Sequence, residues 1–569
     1  MGIVIDTSAP GPVLVGSPLT LRAAIVEPPD SGPVWFRFRI RGANSPNLRT
    51  VRDYSPTASL DWAPLDGEGT YEIQVSARHR ATGETVDTTT FFQVDSRVLD
   101  GVPKVTPTAN KLVFLYSSPP CAPGSTFQVE FAPANTEDTA QLTPPTPCNG
   151  TTSHNVYIAG LRQQTAYRAQ HIVTDPEGAS TRGPALSFAT SALDFPLPIT
   201  RSVNQQDGRS REGFLLQSNP FSINVATDLD GNVVWYNPST KIRYLTQLAS
   251  GGLFVAQIDD WYADASGQLL QVLDVAGNVI AETNAGHIND LLAARREQPI
   301  TSFHHDARLI DGGRLLVLAG TERLVTEMQG EAEVDVIGDA ILVLDADLQI
   351  EWSWNAFDHM DVRREALLGE TCAFGTGGCP VFWLAPVAND WVHGNSVDLT
   401  PDGHILYSAR HQDWLLKIDY ANGKGSGNII WRLGDAGDFR TESSDRQLWF
   451  SHQHDGKFES DAPNRLIVFD NGNTRHAQDP TIHSRGQVWE LDEETRTARL
   501  VHNFDLGDYA RALGSAAKLN NGNYQFGLGW DSRNFGQSLE FDPAGTLITH
   551  LETETQMYRS YRVTTIYAP

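Results

Sequence analysis

One strand pattern recurs six times after about residue 195. An apolar strand ends at Asp, a turn follows, and a second apolar strand begins, as in the run from Val225 through Asp230-Gly231-Asn232 to Trp235. Short apolar runs that are separated by turn residues predict β-hairpins. The six copies occupy residues 225–235, 272–280, 343–352, 417–431, 489–501 and 541–548.

A second kind of hairpin lies between these copies, with turns at Asp311-Gly312-Gly313, Pro401-Asp402-Gly403 and Asn521-Gly522-Asn523. Two hairpins per unit make four antiparallel strands, and radial repetition of such units is typical of a β-propeller. A solenoid is the structural alternative, but its repeats are usually close to regular, with few long insertions. We therefore expect an all-β chain with a six-bladed β-propeller over residues 195–569, and its longest insertion near 355–390.

Two small β-sandwich modules are predicted ahead of the propeller. Residues 1–99 hold short alternating strands and a hairpin with Tyr71 at a strand corner, which indicates an immunoglobulin-like sandwich. Residues 100–194 include the segment from Leu161 to Ala169, which resembles the corner of a fibronectin type III module. The interpretation thus divides the chain into three domains.

The charge of the chain narrows the range of partners. Asp and Glu number 69 against 43 Lys and Arg, for a formal charge of −26. A net negative charge disfavours binding to nucleic acid or to an anionic membrane surface, so we expect neither as a partner. No apolar run reaches the roughly 20 residues that a membrane span needs. A small anionic substrate is still compatible with a local cluster of Arg and His, because salt screens distant charge.

The four cysteines form two close pairs, Cys121 with Cys148 and Cys372 with Cys379. Neither pair has the spacing of a redox or zinc motif, so we expect two disulfides and a periplasmic or secreted location. The N-terminal residues lack the charged and apolar regions of a signal peptide. Because the cysteine pairs favour a periplasmic or secreted location, we expect a signal peptide that this sequence does not include. A homodimer is compatible with the sequence.

Three segments place His just ahead of an apolar strand. They are Phe303-His304-His305-Asp306, the run from Asp390 through Trp391 and His393 to Ser396, and the run from Phe450 through His454 to Gly456. In a propeller, equivalent positions of successive inner strands converge on the central channel. We therefore expect these histidines to share a pocket, with Arg410 nearby.

Arg and His at one site favour sulfate-ester chemistry. A planar guanidinium and hydrogen-bonding imidazoles can bind the non-bridging oxygens of a sulfate ester. Imidazole also titrates near neutral pH, so it can attack sulfur when neutral and donate a proton when charged.

The runs from Asp390 to Ser396 and from Ser408 to Gln412, with Gln453-His454 and Phe303 to Asp306, resemble the central motifs of the bacterial arylsulfotransferase family. The resemblance covers most of residues 200–569. It implies a ping-pong transfer of sulfuryl from an aryl sulfate to a phenol, without a phosphoadenosine donor, any other cofactor or a metal. This family carries one small N-terminal β domain and a disulfide after the arginine segment, so the two modules and the Cys372–Cys379 pair put the substrate scope in doubt.

The resemblance assigns roles by motif position. His454 would accept the sulfuryl group, while His393, Arg410 and either His304 or His305 would hold sulfate oxygens and assist proton transfer. We favour His305 as the catalytic member because His305-Asp306 matches His454-Asp455, and we place His304 among the substrate-binding residues. Asn395 could orient His393 or bind an oxygen. For an aromatic acceptor pocket the candidates are Trp391, Trp449, Phe450 and Trp530.

Simpler interpretations apply to each residue taken alone. A single His is more often a hydrogen-bonded structural residue than a catalyst, and most aromatic residues pack between blades. Strand alternation predicts that His411 and His452 face away from the site.

Three other functions compete with the sulfotransferase. One is a metal-dependent hydrolase or lyase built on the histidines, which Arg410 disfavours because a guanidinium repels a divalent cation. The others are an extracellular binding propeller without enzymatic activity and a family member with a changed donor.

Overall fold

The computed structural model describes residues 2–26, 32–135, 140–205, 213–247 and 252–567. The described chain is all-β, and its three short α-helices are α1 (Ala285–Arg295), α2 (Ala356–His359) and α3 (Asn473–His476). No helix in this part of the chain is long and apolar enough to cross a membrane.

The first strands form two sheets that face each other. One has the order β1-β3-β6 and the other β2-β8-β7-β4-β5, and their inward side chains form a single core around Phe38 and Ile73. The predicted corner is present, because the Tyr71 hydroxyl donates to the carbonyl oxygen of Gly67 at 2.9 Å. The strands are β1 (Ile3–Thr7), β2 (Val13–Leu14), β3 (Leu19–Ile25), β4 (Val34–Arg41), β5 (Arg49–Ser55), β6 (Ser59–Trp62), β7 (Gly69–His79) and β8 (Thr85–Asp95).

A second pair of sheets follows, with β9, β10 and β14 in one and β11 paired with β12, β13 and β15 in the other. The Cys121–Cys148 disulfide is formed, as predicted. The Tyr167 hydroxyl accepts from the backbone N–H of Arg162 at 2.8 Å. The strands are β9 (Lys104–Pro107), β10 (Phe114–Ser118), β11 (Thr126–Pro133), β12 (Gln141–Leu142), β13 (Thr146–Pro147), β14 (His154–Ile158), β15 (Ala166–Thr174), β16 (Ser180–Arg182) and β17 (Leu186–Ala189).

The rest of the chain forms six sheets, each built around four antiparallel strands. All six Asp-turn hairpins are present, as the sequence pattern predicted, and each joins the third and fourth strands of a sheet. The strands are β18 (Thr200–Gln205), β19 (Phe214–Ser218), β20 (Val225–Thr227), β21 (Val233–Tyr236), β22 (Tyr244–Gln247), β23 (Phe254–Ile258), β24 (Leu269–Leu273), β25 (Val279–Asn284), β26 (Phe303–Ile310), β27 (Arg314–Thr326), β28 (Glu333–Leu344), β29 (Ile350–Asn355), β30 (Thr371–Ala373), β31 (Val387–Asp390), β32 (Gly394–Leu399), β33 (Ile405–Ala409), β34 (Trp414–Ile418), β35 (Ile429–Gly434), β36 (His454–Glu459), β37 (Ala462–Asp470), β38 (Arg485–Asp492), β39 (Thr497–Asp505), β40 (Gly514–Lys518), β41 (Tyr524–Leu528), β42 (Gly536–Phe541), β43 (Leu547–Thr553) and β44 (Arg559–Val563).

The succession of sheets closes on itself. Along the inner edges β22 contacts β26, β26 contacts β32, β32 contacts β36, β36 contacts β40, and β40 contacts β44. Strand β44 pairs with β19, which contacts β22, so the last strand completes the first sheet. At the outer edge β18 pairs with β43 of the last sheet. A hydrophobic cluster fills the space between each sheet and the next, so every sheet is buried on both faces.

The insertion predicted near 355–390 adds α2, β30 and β31 to the third sheet of the ring. Strand β31 runs parallel to β28, with Ile337 opposite Asp390. The Cys372–Cys379 disulfide closes the loop between β30 and β31, which confirms the second predicted pair. This insertion brings Asp390 and the disulfide to the inner edge of the ring.

The sheet β2-β8-β7-β4-β5 packs against the ring just ahead of β26. Asp53 lies 3.1 Å from His287 of α1, and the pair is buried. Arg78 and Arg80 both pair with Asp290, also of α1, at 2.7 and 2.9 Å. Contacts of this kind hold α1 in place, and α1 leads into the strand that carries His304 and His305.

Candidate active site

A cavity of about 220 Å³ lies at the inner edge of the ring. Its wall includes residues at or just before the first strands of five sheets, namely Tyr244, His305, His393, His454 and Leu513. Arg410, His411, Asp390 and Trp530 also line it. Three of the predicted histidines and the predicted arginine therefore meet in one cavity.

The three histidine-bearing strands share a local distortion. The register of the first strand against the second shifts between Phe303 and Ala307, between Gly394 and Ser396, and between His454 and Lys457. Each segment also contains a non-glycine residue with positive φ, at His305 (61°), His393 (49°) and Asp455 (54°). Bulges of this type redirect side chains next to active sites. Here they turn imidazoles toward the cavity at the start of each strand.

His454 is held in one tautomer by Asn471. The Asn471 amide nitrogen donates to the carbonyl oxygens of Ala510 and Leu513 at 2.8 and 3.1 Å, which fixes the direction of the amide. Its Oδ1 therefore faces His454 Nδ1 at 2.6 Å and can only accept a hydrogen bond. The proton of a neutral His454 must then sit on Nδ1, which leaves the Nε2 lone pair free.

Burial and the charge of the nearby Arg410 lower the pKa of His454 well below its ordinary value. The side chain is 2% exposed, so solvent does little to stabilise an imidazolium there. The neutral form of His454 is therefore favoured at physiological pH.

His393 and His411 are fixed by the insertion. His393 Nδ1 lies 2.6 Å from the Asp390 carboxylate, and His411 Nδ1 donates to the Asp390 backbone oxygen, also at 2.6 Å. The two rings stack with centroids 4.6 Å apart. A guanidinium nitrogen of Arg410 donates to His411 Nε2, so His411 supports the arginine rather than facing a ligand freely.

Arg410 is 9% exposed and lines the cavity. Burial lowers the pKa of its guanidinium, and the charges of Glu370 and Asp390 oppose that shift. Arg410 Nε has no hydrogen-bond partner among the described residues. A buried guanidinium with spare donors is suited to a bound sulfate or sulfate ester.

His305 and His304 lie one behind the other, with their rings nearly perpendicular and their centroids 4.8 Å apart. His305 lines the cavity, with its ring centroid 5.0 Å from that of His393. His304 is fully buried behind it, with the two Nδ1 atoms 2.7 Å apart. On its far side His304 Nε2 lies 3.1 Å from Asp339.

The aspartates of the two His-Asp pairs lie in a layer beneath the cavity. Asp306 accepts from the backbone N–H of Val397 at 3.0 Å, and Asp455 accepts from that of Ala516 at 2.9 Å. Each aspartate thus links its strand to the first strand of the next sheet. Arg559 lies between them, 2.8 Å from Asp306 and 4.0 Å from Asp455.

The rim combines charged and aromatic groups that the sequence did not reveal. Glu370 is bonded to His452, which also contacts Asp413 at 2.9 Å. Burial alone would lower the pKa of His452, but these two carboxylates raise it above its ordinary value. Asp259, which pairs with Arg243 at 3.0 Å, has its pKa raised to about 7 by burial. Trp261, Phe221 and the disulfide complete this side of the cavity.

Several expected residues lie elsewhere. Trp391 is fully buried, with its indole N–H bonded to the carbonyl oxygen of Arg364 at 2.8 Å, and it does not line the cavity. Asn395 is buried beneath the cavity, where it donates to the carbonyl oxygen of Gln453 at 2.7 Å. Trp449 and Phe450 belong to the core between two sheets. Trp530 does line the cavity.

The prediction that His411 faces away was wrong, because His411 lines the cavity. His452 does not line the cavity, as predicted, but it is bonded to the cavity residue Glu370. Regular alternation does not apply, because Arg410–Gln412 is a short 3₁₀ turn and His452 has a positive φ of 51°. Glu370 and Asn471 were missed because no sequence pattern links them to the histidine segments.

Among the described residues, two clusters without disulfide-bonded cysteines have the residue types and spacing of metal ligands, namely Glu370 with His411 and His452, and Asp390 with His393 and His411. His411 is common to both, yet its Nδ1 donates to a backbone oxygen and its Nε2 accepts from Arg410. His452 Nε2 is bonded to Glu370. A divalent cation would have to displace Arg410, so the donor set does not favour a metal.

Comparison with solved structures found similarity to fibronectin-containing and receptor proteins. A segment of two fibronectin type III domains from chicken tenascin has 16% identity and a TM-score of 0.14, covering 33% of this chain and 98% of that one. Domains FN1–FN3 of chicken CNTN1 have 10% identity and a TM-score of 0.15, covering 33% and 66%. The selenomethionine-substituted chicken interferon gamma receptor alpha chain has 12% identity and a TM-score of 0.14, covering 34% and 97%.

No curated protein matches the chain. The family described as Arylsulfotransferase (ASST) matches residues 199–563, which is well over half of the chain and includes the whole His and Arg cluster. The chain therefore belongs to the arylsulfotransferase family, whose members are arylsulfate sulfotransferases that do not depend on phosphoadenosine phosphosulfate.

Proposed function

We propose that the protein moves a sulfuryl group from an aryl sulfate to a phenol by a ping-pong mechanism, with a sulfohistidine at His454. One observation carries this proposal. His454 is a neutral imidazole whose Nδ1 is bonded to Asn471, so its Nε2 lone pair is available beside a buried guanidinium. A nucleophile of fixed tautomer next to a cationic oxygen-binding group is the arrangement that sulfuryl transfer needs.

In the first half-reaction His454 Nε2 attacks sulfur, the N–S bond forms, and the S–O bond to the aryl group breaks. The electron pair of that bond goes to the phenolate oxygen, which then takes up a proton. In the second half-reaction the acceptor oxygen attacks sulfur and gives up its proton, and the N–S electron pair returns to Nε2. Arg410 and His393 hold the non-bridging oxygens throughout, and His305 serves proton transfer.

The size of the cavity supports the ping-pong order. Pockets for drug-sized ligands usually measure about 300–1,000 Å³. This cavity measures about 220 Å³, which suits a single aromatic ring with its sulfate. A donor and an acceptor would then occupy it in turn, and a covalent intermediate would carry the sulfuryl group between them.

The closed succession of six sheets supports a six-bladed β-propeller over residues 195–569, with the cavity at one end of its central channel. The two pairs of sheets before it support sandwich modules at 1–99 and 100–194. The two disulfides support a periplasmic or secreted location. The partners we propose are an aryl sulfate and a phenol.

The test is a transfer assay in the presence of chelator, with nitrophenyl sulfate as donor and a simple phenol as acceptor. We expect nitrophenolate release that depends on the acceptor, and its loss in His454→Ala. His483→Ala is the matched control, because His483 is exposed and pairs only with Asp505 among the described residues. Activity that survives in His454→Ala would refute the sulfohistidine, and activity that requires an added metal would favour the hydrolase or lyase alternative.

A further inference from the structure

We propose that His304 and Asp339 form a buried proton store behind His305, which lends a proton to the departing phenolate and takes one back from the acceptor phenol. This inference rests on the proposed transfer through His454. It assigns a function to Asp339, for which the sequence motifs give none, and it makes His304 a positioning residue rather than a substrate-binding one.

The three side chains form a line from the cavity into the protein. His305 lines the cavity, its Nδ1 lies 2.7 Å from His304 Nδ1, and His304 Nε2 lies 3.1 Å from Asp339 Oδ1. His304 and Asp339 are both 0% exposed. A proton on this pair is therefore shielded from exchange with solvent except through His305.

The Asp339 carboxylate accepts hydrogen bonds that stabilise its ionised form. Its Oδ2 accepts from the backbone N–H of Gly394 at 2.5 Å and from the Tyr407 hydroxyl. A Cβ at position 394 would lie 2.6 Å from the same oxygen, so only glycine permits this approach. Burial alone would raise the pKa of Asp339, but His304 and these two donors lower it below its ordinary value. The carboxylate is therefore ionised.

The contact between the two Nδ1 atoms requires one shared proton. In the loaded state His304 carries protons on both nitrogens, and His305 accepts at Nδ1 and presents Nε2–H to the cavity. In the unloaded state His304 is neutral with its proton on Nε2, and His305 donates from Nδ1 and presents a lone pair at Nε2. His305 is neutral in both states, which agrees with its pKa, lowered well below its ordinary value by burial and by His304.

The two states account for one proton in each half-reaction. When the S–O bond to the aryl group breaks, the phenolate oxygen takes the Nε2 proton of His305, and the Nδ1 proton of His304 moves to His305. When the acceptor phenol attacks, its proton goes to His305 Nε2, and the His305 Nδ1 proton returns to His304. No proton is gained or lost over the full cycle, so transfer needs no exchange with solvent between the two steps.

The surroundings of His305 disfavour a positive charge on it. His305 faces His393, His454 and Arg559, and a positive charge on His305 would be repelled by each of them when they are charged. His304 faces Asp339 and also interacts electrostatically with Asp259. Tyr244 and Tyr558 pack on His305 with centroids 4.7 and 5.4 Å away and carry no charge near neutral pH.

The test exploits the basicity of the leaving group. Phenolate is a stronger base than nitrophenolate, so phenyl sulfate depends on a proton donor more than nitrophenyl sulfate does. In ping-pong kinetics the donor's kcat/KM reports the first half-reaction alone. General acid catalysis contributes about 10²- to 10⁴-fold, so we expect Asp339→Asn to lower kcat/KM for phenyl sulfate at least about 10-fold more than for nitrophenyl sulfate.

Tyr407→Phe is an intermediate variant, because it removes one of the two hydrogen bonds that stabilise the ionised Asp339 and leaves the contact between His304 and Asp339. We expect its difference between the two aryl sulfates to be smaller than that of Asp339→Asn. Equal losses for both donors in Asp339→Asn would overturn the proton store. Turnover in His454→Ala would instead refute the sulfohistidine, so the two failures are distinguishable.

A second measurement covers the case in which Asp339→Asn does not fold. His304→Gln cannot carry the stored proton and should show the same dependence on the leaving group. In the wild-type protein, ¹⁵N chemical shifts of labelled histidines should show His304 protonated on both nitrogens at neutral pH. A neutral His304 in the resting enzyme would contradict the proposal.

Discussion

Asn471→Asp should give the transfer reaction a dependence on pH that the wild-type protein lacks. The replacement is nearly isosteric, and a carboxylate oxygen can still accept from His454 Nδ1 at the present 2.6 Å. The tautomer is therefore kept. The new negative charge, however, stabilises the imidazolium form of His454, so its pKa rises from the low value that burial and Arg410 impose.

The size of the effect follows from the contact. An opposite charge within hydrogen-bond distance raises the pKa of such a group by about 1 to 3 units, and each unit is about 1.4 kcal/mol. A protonated His454 cannot attack sulfur, so below the new pKa the rate falls about tenfold per pH unit. The carbonyl oxygens of Ala510 and Leu513 also lose their donor. That loss costs about 1 kcal/mol of stability for each hydrogen bond.

The assay measures kcat/KM for nitrophenyl sulfate between pH 5 and 9, with samples quenched in alkali before absorbance is read. Relative to wild type, Asn471→Asp should gain an additional acid limb that recovers at high pH. Asn503→Asp adds the same charge at an exposed position and should leave the profile unchanged. A melting curve first establishes that the variant is folded at the assay temperature. Parallel profiles for wild type and Asn471→Asp would refute the tautomer argument.

Three further predictions concern other parts of the site. Arg410→Lys should lower kcat/KM for the donor about 10²-fold, because lysine cannot reproduce the planar contact with sulfate oxygens; an unchanged value would contradict that role. Replacing Cys372 and Cys379 with Ser should lower the free energy of unfolding by about 2.5 kcal/mol and raise KM, because the loop spans 7 positions in sequence and lines the cavity; calorimetry and kinetics check both effects. Asp259→Asn should alter the pH dependence of stability. The folded pKa of Asp259 is raised to about 7 from 3.8, so the folded state holds the proton more tightly and this carboxyl costs stability as pH rises through that interval. The difference in melting temperature between variant and wild type should therefore grow from pH 4 to pH 7, and a constant difference would contradict the shift.

Much of the fold was available from local sequence patterns. The six Asp-turn hairpins mark the third and fourth strands of all six sheets, because a turn with Asp and a flanking apolar pair specifies a hairpin almost by itself. The length of the segment located the insertion, but the sequence did not predict that the insertion adds strands to the third sheet. Parallel pairing of β31 with β28 joins residues about 50 positions apart, and no local pattern specifies such a contact.

The candidate site was predictable where a motif repeats and not where partners come from different sheets. His305, His393, Arg410 and His454 line one cavity, although their roles stay predictions. Asn471, Asp339 and Glu370 act on these side chains from other strands or from the insertion. Each is a common polar residue without a flanking pattern, so only the three-dimensional contact identifies it.

The match between His305-Asp306 and His454-Asp455 has a structural origin that explains why it located the site. Each aspartate accepts a hydrogen bond from a backbone N–H of the next sheet. The His-Asp dipeptide therefore lies where the first strand of one sheet is joined to the first strand of the next. The bulge at that level makes the preceding histidine point into the cavity instead of alternating outward. We propose that the aspartates join the sheets and that the histidines carry the chemistry. Asp306→Asn should therefore weaken the contact between sheets and displace His305 with it, whereas His305→Ala should leave the hydrogen bond between Asp306 and Val397 in place and lower the melting temperature less.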